Sequence, residues 1–283
     1  MKQILLITGF FLFLLNGFSQ QSDTIYLWPN KIPGESAPRH RPVVTDNKSG
    51  GVTRITDITN PAIISFKSEN VEKKNVSILV CPGGAYKYLA IDKEGYEVAQ
   101  WLVTLGFDAY VLQYRAPDKR EGALQDIQRA LRTIRNIDST QIVGLMGFSA
   151  GGNLSAMAAT NFKKKTYEPE DEIDRLSCRP DFAALLYPAY LDEGDNQTLS
   201  SEITIDNSTP PFFIFSTADD AYGNSGLVMT TALLNKKIPV ELHVIPLGGH
   251  GYGLRKGNIA AETWPELFLH WMNYQFKPIA IDH

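Results

Sequence analysis

Cysteine is scarce in this chain, and an excess of positive charge is missing. Only Cys81 and Cys178 occur among 283 residues, so the fold must depend on a hydrophobic core rather than on a disulfide framework. Two buried free thiols are the simpler expectation, and a single bond between them is the alternative. With 27 basic and 31 acidic residues, the formal net charge is −4, which provides no electropositive surface for a nucleic-acid partner.

Long apolar runs are also absent after the first residues of the chain. There, Lys2 precedes an apolar stretch from Ile4 to Leu15, and small or polar residues follow it as far as Ser19. This order is typical of a secretory signal, and the stretch is shorter than the roughly 18 to 20 residues that cross a bilayer. We expect residues 1–19 to be a signal peptide, residues 20–283 to be one domain with no stable membrane anchor, and the mature protein to be secreted or periplasmic.

Motifs for metals and phosphate-bearing cofactors are missing as well. The chain has no H-E-x-x-H segment, no paired cysteines and no histidines at ligand spacing, which are the usual marks of a zinc site. Gly83-Gly84 lacks the Lys-Ser/Thr of a phosphate-binding loop and the third glycine of a dinucleotide loop. We therefore expect no metal and no cofactor.

From Asn75 onward, short apolar runs alternate with segments of helical periodicity, which predicts a mostly parallel sheet flanked by helices on both faces. The predicted strands are Val76–Val80, Phe107–Tyr114, Ile142–Met146, Phe182–Leu186, Phe212–Phe215 and Val240–Ile245. Helices are expected around Val98–Leu105, around Leu124–Ile134, after Ser149, over Leu227–Leu234 and around Leu267–Met272.

Before Asn75 the pattern changes. Three short strands, Ile25–Trp28, Thr53–Ile58 and Ala62–Phe66, are separated by stretches rich in Pro, Gly and Asn, which suggests antiparallel strands at one edge of the sheet. The charged segment Lys163–Asp174 has no periodicity, and we expect a solvated loop there.

A sharp turn is predicted where the strand Ile142–Met146 meets the helix that begins at Ala150. The residues between them read Gly147-Phe148-Ser149-Ala150-Gly151, and glycines on both sides of a serine permit a strained turn that lifts the hydroxyl out of the sheet. A glycine-rich turn capped by serine is the structural alternative. The position after a strand and before a helix favours Ser149 as a nucleophile.

A serine nucleophile needs a base, and the chain has five histidines. His40 lies in a polar Pro/Arg segment, His243 in a predicted strand, His270 in an apolar helix, and His283 is the last residue. His250 remains. It lies in a glycine-rich loop that follows the strand Val240–Ile245, at the edge where active sites of open α/β sheets form.

The imidazole in turn needs an acid, and the strand Phe212–Phe215 is followed by Asp219 and Asp220. The chain order Ser, Asp, His is that of the hydrolases with a nucleophile elbow. We favour Asp220, with Asp219 as the alternative; the carboxylate that does not serve as the acid would be free to cap the following helix.

The segment Cys81-Pro82-Gly83-Gly84-Ala85-Tyr86 follows another predicted strand. The N–H groups of Gly84 and Ala85 are expected to form an oxyanion hole with the amide of Ala150, although a hairpin turn would use the same residues. Tyr86, Tyr187 and Tyr190 could stack on sugar rings or could equally be ordinary core tyrosines.

Taken together, these segments resemble the α/β-hydrolase superfamily and, within it, secreted carbohydrate esterases such as acetyl xylan esterases and feruloyl esterases. The resemblance runs from Tyr26-Leu27-Trp28-Pro29 to Gly249-His250-Gly251, and includes Glu94-Gly95, Arg179-Pro180-Asp181-Phe182, Tyr187-Pro188 and Pro210-Pro211. It implies that residues 20–283 form a single catalytic domain of the α/β-hydrolase fold, and that the second carboxylate of the Asp-Asp pair is the triad acid. The chain departs from the family at Pro82, at Ser216, and in a short Asp220–Asn224 segment.

The resemblance implies a serine esterase that removes acyl groups, above all acetyl, from plant cell-wall polysaccharide such as xylan, through an acyl-enzyme on Ser149. Its partner would be an acylated oligo- or polysaccharide. A general carboxylesterase or a small peptidase of the same fold is the enzymatic alternative. A binding module that has lost its chemistry is the non-enzymatic one.

Overall fold

A central sheet of eight strands dominates the computed structural model, which describes residues 23–68, 72–137, 142–195 and 197–276. The predicted signal peptide lies outside the described residues. In chain order the strands are β1 Asp23–Tyr26, β2 Ala62–Phe66, β3 Val76–Cys81, β4 Asp108–Gln113, β5 Ile142–Phe148, β6 Phe182–Leu186, β7 Phe212–Thr217 and β8 Val240–Ile245.

The order of these strands across the sheet is β1-β2-β4-β3-β5-β6-β7-β8. The pairs β1/β2 and β2/β4 are antiparallel, and all the others are parallel. Parallel neighbours need crossover connections. The five helices are α1 Glu97–Thr104, α2 Arg120–Ile137, α3 Ala150–Thr160, α4 Gly223–Asn235 and α5 Ile259–Gln275. Four of the five helices lie in such connections, and the fifth, α5, follows the last strand.

The helices cover both faces of the sheet. On one face, the rings of Trp101 in α1 and Trp264 in α5 meet at 5.2 Å, and Phe213 of β7 packs on Trp271 of α5. The alternate side chain of β7, Ile214, points to the other face, where it lies against Gly226 of α4. The sheet is therefore buried on both sides, which explains why β2 to β4, β6 and β7 are fully buried runs. The fold class predicted from the sequence is confirmed.

One predicted strand lies elsewhere. Arg54–Thr56, the part of the predicted Thr53–Ile58 segment that forms a strand, does not join the edge of the main sheet. It pairs instead with Val43–Val44 and Leu89–Ala90 in a separate antiparallel sheet of three strands. Further short elements are the strand pair Asp192–Glu193 and Thr198–Leu199, the π-helix Asp92–Tyr96, and 3-10 turns at Ser49–Gly51 and Glu172–Arg175.

The charged segment Lys163–Asp174 is not simply a solvated loop. Asp171 and Asp174 form ion pairs at 2.6 and 3.0 Å with Arg129 of α2, whose side chain is 2% exposed. Arg129 also donates to the carbonyl of Leu27 at 2.9 Å. The segment has the exposed and half-buried residues of the expected solvated loop, and its second half also ties α2 to the N-terminal part of the fold.

Both cysteines are buried and free. This confirms the expectation of two free thiols, and the alternative of a bond between them is wrong. None of the helices formed by the described residues combines the length and the apolar character needed to span a bilayer.

The parallel register brings the carboxyl ends of the strands to one edge. Cys81, the last residue of β3, pairs with Gly147 near the end of β5. The turns that follow these two strands are therefore neighbours.

Candidate active site

Ser149 occupies a strained turn between β5 and α3. Its φ and ψ are 53° and −119°, a region that a residue with a side chain rarely adopts. The flanking glycines make the turn possible, because a Cβ atom on Gly147 would lie 2.3 Å from the Gly151 carbonyl oxygen, and one on Gly151 would lie 2.0 Å from the Cys81 carbonyl oxygen. The turn holds the Ser149 hydroxyl at the carboxyl edge of the sheet.

The loop after β8 brings His250 to this hydroxyl. Nε2 of His250 lies 2.7 Å from Oγ of Ser149, and the imidazole is 29% exposed. Positive φ angles at Gly248, Gly249 and Gly251 let the loop turn sharply on both sides of the histidine. We call residues 248–253 the histidine loop.

The two neighbouring carboxylates have different partners. Oδ2 of Asp220 lies 2.7 Å from Nδ1 of His250, and the Asp220 side chain is fully buried. Asp219 instead accepts hydrogen bonds from the N–H groups of Gly249 and Gly248 at 2.8 and 3.2 Å. The Gly249 bond is the main reason that the pKa of Asp219 is held below its ordinary value.

The carboxylate that does not serve as the triad acid was expected to cap the following helix, but Asp219 does not cap it. Asp220 itself accepts from the N–H of Tyr222, the residue before α4, at 2.9 Å. Asp219 fastens the histidine loop to the end of β7.

The N–H groups of residues 84, 85 and 150 are available near Ser149. Within the described part of the chain, those of Gly84 and Ala85 donate to no other group, and Ala150 is the first residue of α3, where N–H groups have no partner in the helix. Gly84 has a φ of +137°, and a Cβ there would lie 2.0 Å from the Tyr88 carbonyl oxygen. The segment 82–86, which we call the oxyanion loop, therefore depends on glycine at this position.

The three tyrosines have different surroundings. Tyr187 is fully buried and its hydroxyl donates to Glu94 Oε1 at 2.9 Å, which is the core position expected as the alternative to a sugar contact. Tyr86 is 3% exposed, and its ring lies under the Arg120 guanidinium. Tyr190 is half-buried and contacts the ring of Tyr222.

A cleft of about 240 Å³ adjoins the oxyanion loop. It is lined by Ala85, Tyr86, Asp118, Arg120 and Tyr190. Arg120 reaches Asn153 Oδ1 at 3.2 Å and forms an exposed ion pair with Glu202. The walls of the cleft thus combine aromatic surface with charged hydrogen-bonding groups.

Sequence reasoning did not single out Arg120 or Glu94 as site residues. Arg120 begins α2 and Glu94 lies in a short helical turn before α1. Glu94-Gly95 is part of the family resemblance, but no local pattern gives either residue a role in the site, because their partners are far away in the chain.

Cys81 also lies beside the site, but burial raises the pKa of its thiol to about 12. It therefore stays protonated and is a poor nucleophile. In the described ranges, no group of three or more His, Cys, Asp or Glu side chains is arranged to hold a metal ion.

Comparison with known proteins supports the same superfamily. The BD-FAE family model matches residues 64–184, a range that contains Ser149 but ends before Asp220 and His250. An acetylxylan esterase of Xylanibacter ruminicola is 28% identical over 232 residues, which cover 70% of this chain and 45% of that protein. An endo-1,4-beta-xylanase B of Butyrivibrio fibrisolvens is 32% identical over 213 residues, or 64% of this chain and 33% of that protein. The chain thus spans less than half the length of these two relatives.

A solved structure matches over nearly the whole chain. The acetyl ester-xyloside bifunctional hydrolase from Caldicellulosiruptor lactoaceticus superposes with a TM-score of 0.72 at 26% identity, covering 92% of this chain and 98% of that one. The resemblance to carbohydrate esterases that the sequence predicts is confirmed by these matches. Strand order, the turn at the end of β5 and the matched structure agree that the chain has the α/β-hydrolase fold.

Proposed function

We propose that this protein is a serine esterase that removes acyl groups, chiefly acetyl, from plant cell-wall polysaccharide such as xylan. The observation that carries the proposal is the chain of two contacts, each 2.7 Å long, from Ser149 Oγ through the His250 ring to Asp220. An alcohol, an imidazole and a buried carboxylate in this order form the arrangement that activates a serine.

In the proposed reaction, Ser149 Oγ attacks the ester carbonyl carbon while its proton passes to Nε2 of His250. Asp220 accepts the hydrogen bond from Nδ1–H, which fixes the tautomer and stabilises the charged imidazolium. The negative oxygen of the tetrahedral intermediate is held by the N–H groups of Gly84, Ala85 and Ala150, each donor supplying about 3 kcal/mol.

The intermediate then collapses. The bond to the sugar oxygen breaks, and that oxygen takes the proton from His250, so the sugar leaves as an alcohol and the acyl group stays on Ser149 Oγ. A water molecule next gives its proton to His250 and attacks the acyl carbon, and the same steps release the carboxylic acid and restore the serine hydroxyl.

The residues that line the cleft beside the oxyanion loop are suited to binding a polar leaving group. Tyr190 supplies an aromatic surface, while Arg120 and Asp118 supply hydrogen-bonding groups suited to sugar hydroxyls. The acetyl group as substrate rests on the names of the relatives, an acetylxylan esterase and an acetyl ester-xyloside bifunctional hydrolase. Export to the periplasm or the medium is proposed from residues 1–19 alone.

Product release from defined substrates tests this proposal. We expect acetate release from acetylated xylo-oligosaccharides at a higher kcat/KM than hydrolysis of methyl ferulate or of short acyl lipids. Arg120→Ala and Tyr190→Ala should raise KM for the oligosaccharide several-fold while leaving p-nitrophenyl acetate hydrolysis nearly unchanged. Arg175→Ala is the matched control, because Arg175 and its ion-pair partner Glu172 are both exposed to solvent.

Equal rates on all esters, with no effect of the cleft variants, would instead favour the general carboxylesterase. Cleavage of peptide substrates without ester hydrolysis would favour the peptidase.

A further inference from the structure

Glu94 is a buried carboxylate to which the reaction described above assigns no task. It lies in the π-helix Asp92–Tyr96 and is 4% exposed. An isolated buried charge is costly, so such a group persists where hydrogen bonds or function compensate for it.

The carboxylate joins the two loops that flank Ser149. Glu94 Oε2 accepts from the N–H of Gly83 in the oxyanion loop at 2.8 Å. Glu94 Oε1 accepts from the Tyr187 hydroxyl, and that hydroxyl accepts in turn from the N–H of Gly253 in the histidine loop at 3.0 Å. Three consecutive hydrogen bonds therefore connect Gly83 to Gly253 through one carboxylate.

The same carboxylate lies directly behind the reacting atoms. A Cβ atom on Gly83 would be 2.7 Å from Glu94 Oε2 and also 2.7 Å from Ser149 Cβ, so both atoms border one small space. A Cβ atom on Gly251, next to His250, would lie 3.9 Å from Glu94 Oε1.

The ionised form fits these partners. Oε2 accepts a hydrogen bond from an N–H group and Oε1 accepts one from a hydroxyl, and hydrogen bonds of this kind favour the ionised form. Burial raises the pKa of Glu94, while the Gly83 N–H, the Tyr187 hydroxyl and the charges of His250 and Lys93 act in the opposite direction.

The other groups that face this region come from several elements. Asp220 contacts the His250 ring, and Asp219 holds the histidine loop. The rings of Tyr187 and Tyr222 lie 5.1 and 5.0 Å from the imidazole. Beside Lys93, Arg255 forms ion pairs with Asp92 and Glu97.

We propose that Glu94 is a positioning residue of the proposed esterase: its buried carboxylate ties the oxyanion loop to the histidine loop and stabilises the positive charge that His250 gains when it accepts the Ser149 proton. The inference rests on the proposed function. Asp219 and Asp220 contact the histidine loop at Gly248, Gly249 and His250, and Glu94 adds a further carboxylate that reaches the loop at Gly253 through Tyr187.

Glu94→Gln tests the charge with little change of shape. We expect kcat on p-nitrophenyl acetate to fall about 10-fold with KM nearly unchanged, and the acidic limb of the kcat/KM profile to move to lower pH by roughly half a unit or more. Glu121→Gln, the same change at an exposed position in the first turn of α2, should alter neither quantity. A Glu94→Gln enzyme with an unmoved acidic limb would overturn the inference.

Stability against pH provides a readout that does not depend on turnover. Because the pKa of Glu94 is raised by folding above its ordinary value of 4.5, its contribution to stability is fully present below that value and is lost as pH rises through the folded pKa. Glu94→Gln avoids this loss, so its melting temperature relative to wild type should be higher at pH 8 than at pH 5.

Tyr187→Phe tests the connection while keeping Glu94. Loss of the hydroxyl that joins Glu94 to Gly253 should lower kcat several-fold, and an unchanged kcat would contradict the proposed tie between the loops. If wild type itself does not hydrolyse esters, the proposed function fails. If wild type hydrolyses them through Ser149 but Glu94→Gln behaves like Glu121→Gln, only the inference about Glu94 fails.

Discussion

Nδ1 of His250 lies 2.7 Å from Oδ2 of Asp220, whose side chain is fully buried. The adjacent Asp219 turns away to the backbone of Gly248 and Gly249. Two consecutive carboxylates are thereby divided between the imidazole and the loop that carries it. Because of this division, we expect the same Asp→Asn substitution to reduce kcat by different factors at the two positions.

Asp220→Asn should reduce kcat on p-nitrophenyl acetate by about 10³- to 10⁴-fold, because an amide that replaces the carboxylate favours the wrong tautomer of His250 and cannot stabilise the imidazolium. Asp219→Asn should cost about 10-fold or less, since an amide oxygen can still accept from one of the two glycine N–H groups. The measurement is kcat/KM for both purified variants. An Asp219→Asn defect as large as that of Asp220→Asn would reverse the assignment.

Gly84→Ala should damage the oxyanion loop. The φ of +137° and the distance of 2.0 Å between an added Cβ and the Tyr88 carbonyl oxygen force the segment to move, and displaced N–H donors stabilise the oxyanion poorly. We expect kcat to fall about 100-fold or more, with a smaller change in KM.

Gly34→Ala is its matched control, because Gly34 also has a positive φ, +69°, but an added Cβ there would meet nothing within 4 Å. It should cost about 1–2 kcal/mol of stability, because alanine disfavours the left-handed region, and leave kcat unchanged. If Gly84→Ala retained full kcat, the N–H groups that stabilise the oxyanion would have to lie outside the oxyanion loop.

Much of the candidate site could be predicted because its signals are local. Ser149 follows from glycines between a strand and a helix, and His250 from a glycine-rich loop after a strand; the structure brings both to the same sheet edge. The choice of Asp220 over Asp219 needed chain order and family resemblance as well. The two residues are neighbours in sequence, and only their side-chain directions separate their partners.

The rest depends on contacts between distant segments. Glu94 and Tyr187 are 93 positions apart, and Arg129 and Asp171 are 42 positions apart, so neither pair leaves a periodic pattern. The strand Arg54–Thr56 shows the same limit. Alternating side chains predict an extended segment, but they do not specify whether its partner is the main sheet or the short strand Leu89–Ala90.

Arg129→Met should destabilise the fold without a direct effect on catalysis. It would leave Asp174, whose side chain is 2% exposed, without its cationic partner, and breaking a buried pair in this way costs about 3–5 kcal/mol. Arg129 lowers the pKa of Asp171, so this part of the stabilisation is present above the ordinary value of 3.8 and is lost as pH falls below it.

Denaturant unfolding at pH 7 and pH 3 measures the effect, and the gap between wild type and Arg129→Met should narrow at pH 3. Arg175→Met, at an exposed pair, should cost less than about 1 kcal/mol. Equal losses for the two variants would contradict the structural role given to the segment Lys163–Asp174.

The most direct test of the account compares wild-type protein with Ser149→Ala in the hydrolysis of p-nitrophenyl acetate, after circular dichroism has shown that both are folded. Removal of Oγ, which lies 2.7 Å from His250 Nε2, should lower kcat by about 10⁴-fold or more. A folded Ser149→Ala protein that retains near-normal turnover, or a folded wild type with none, would contradict the proposal that Ser149 is the nucleophile of an esterase.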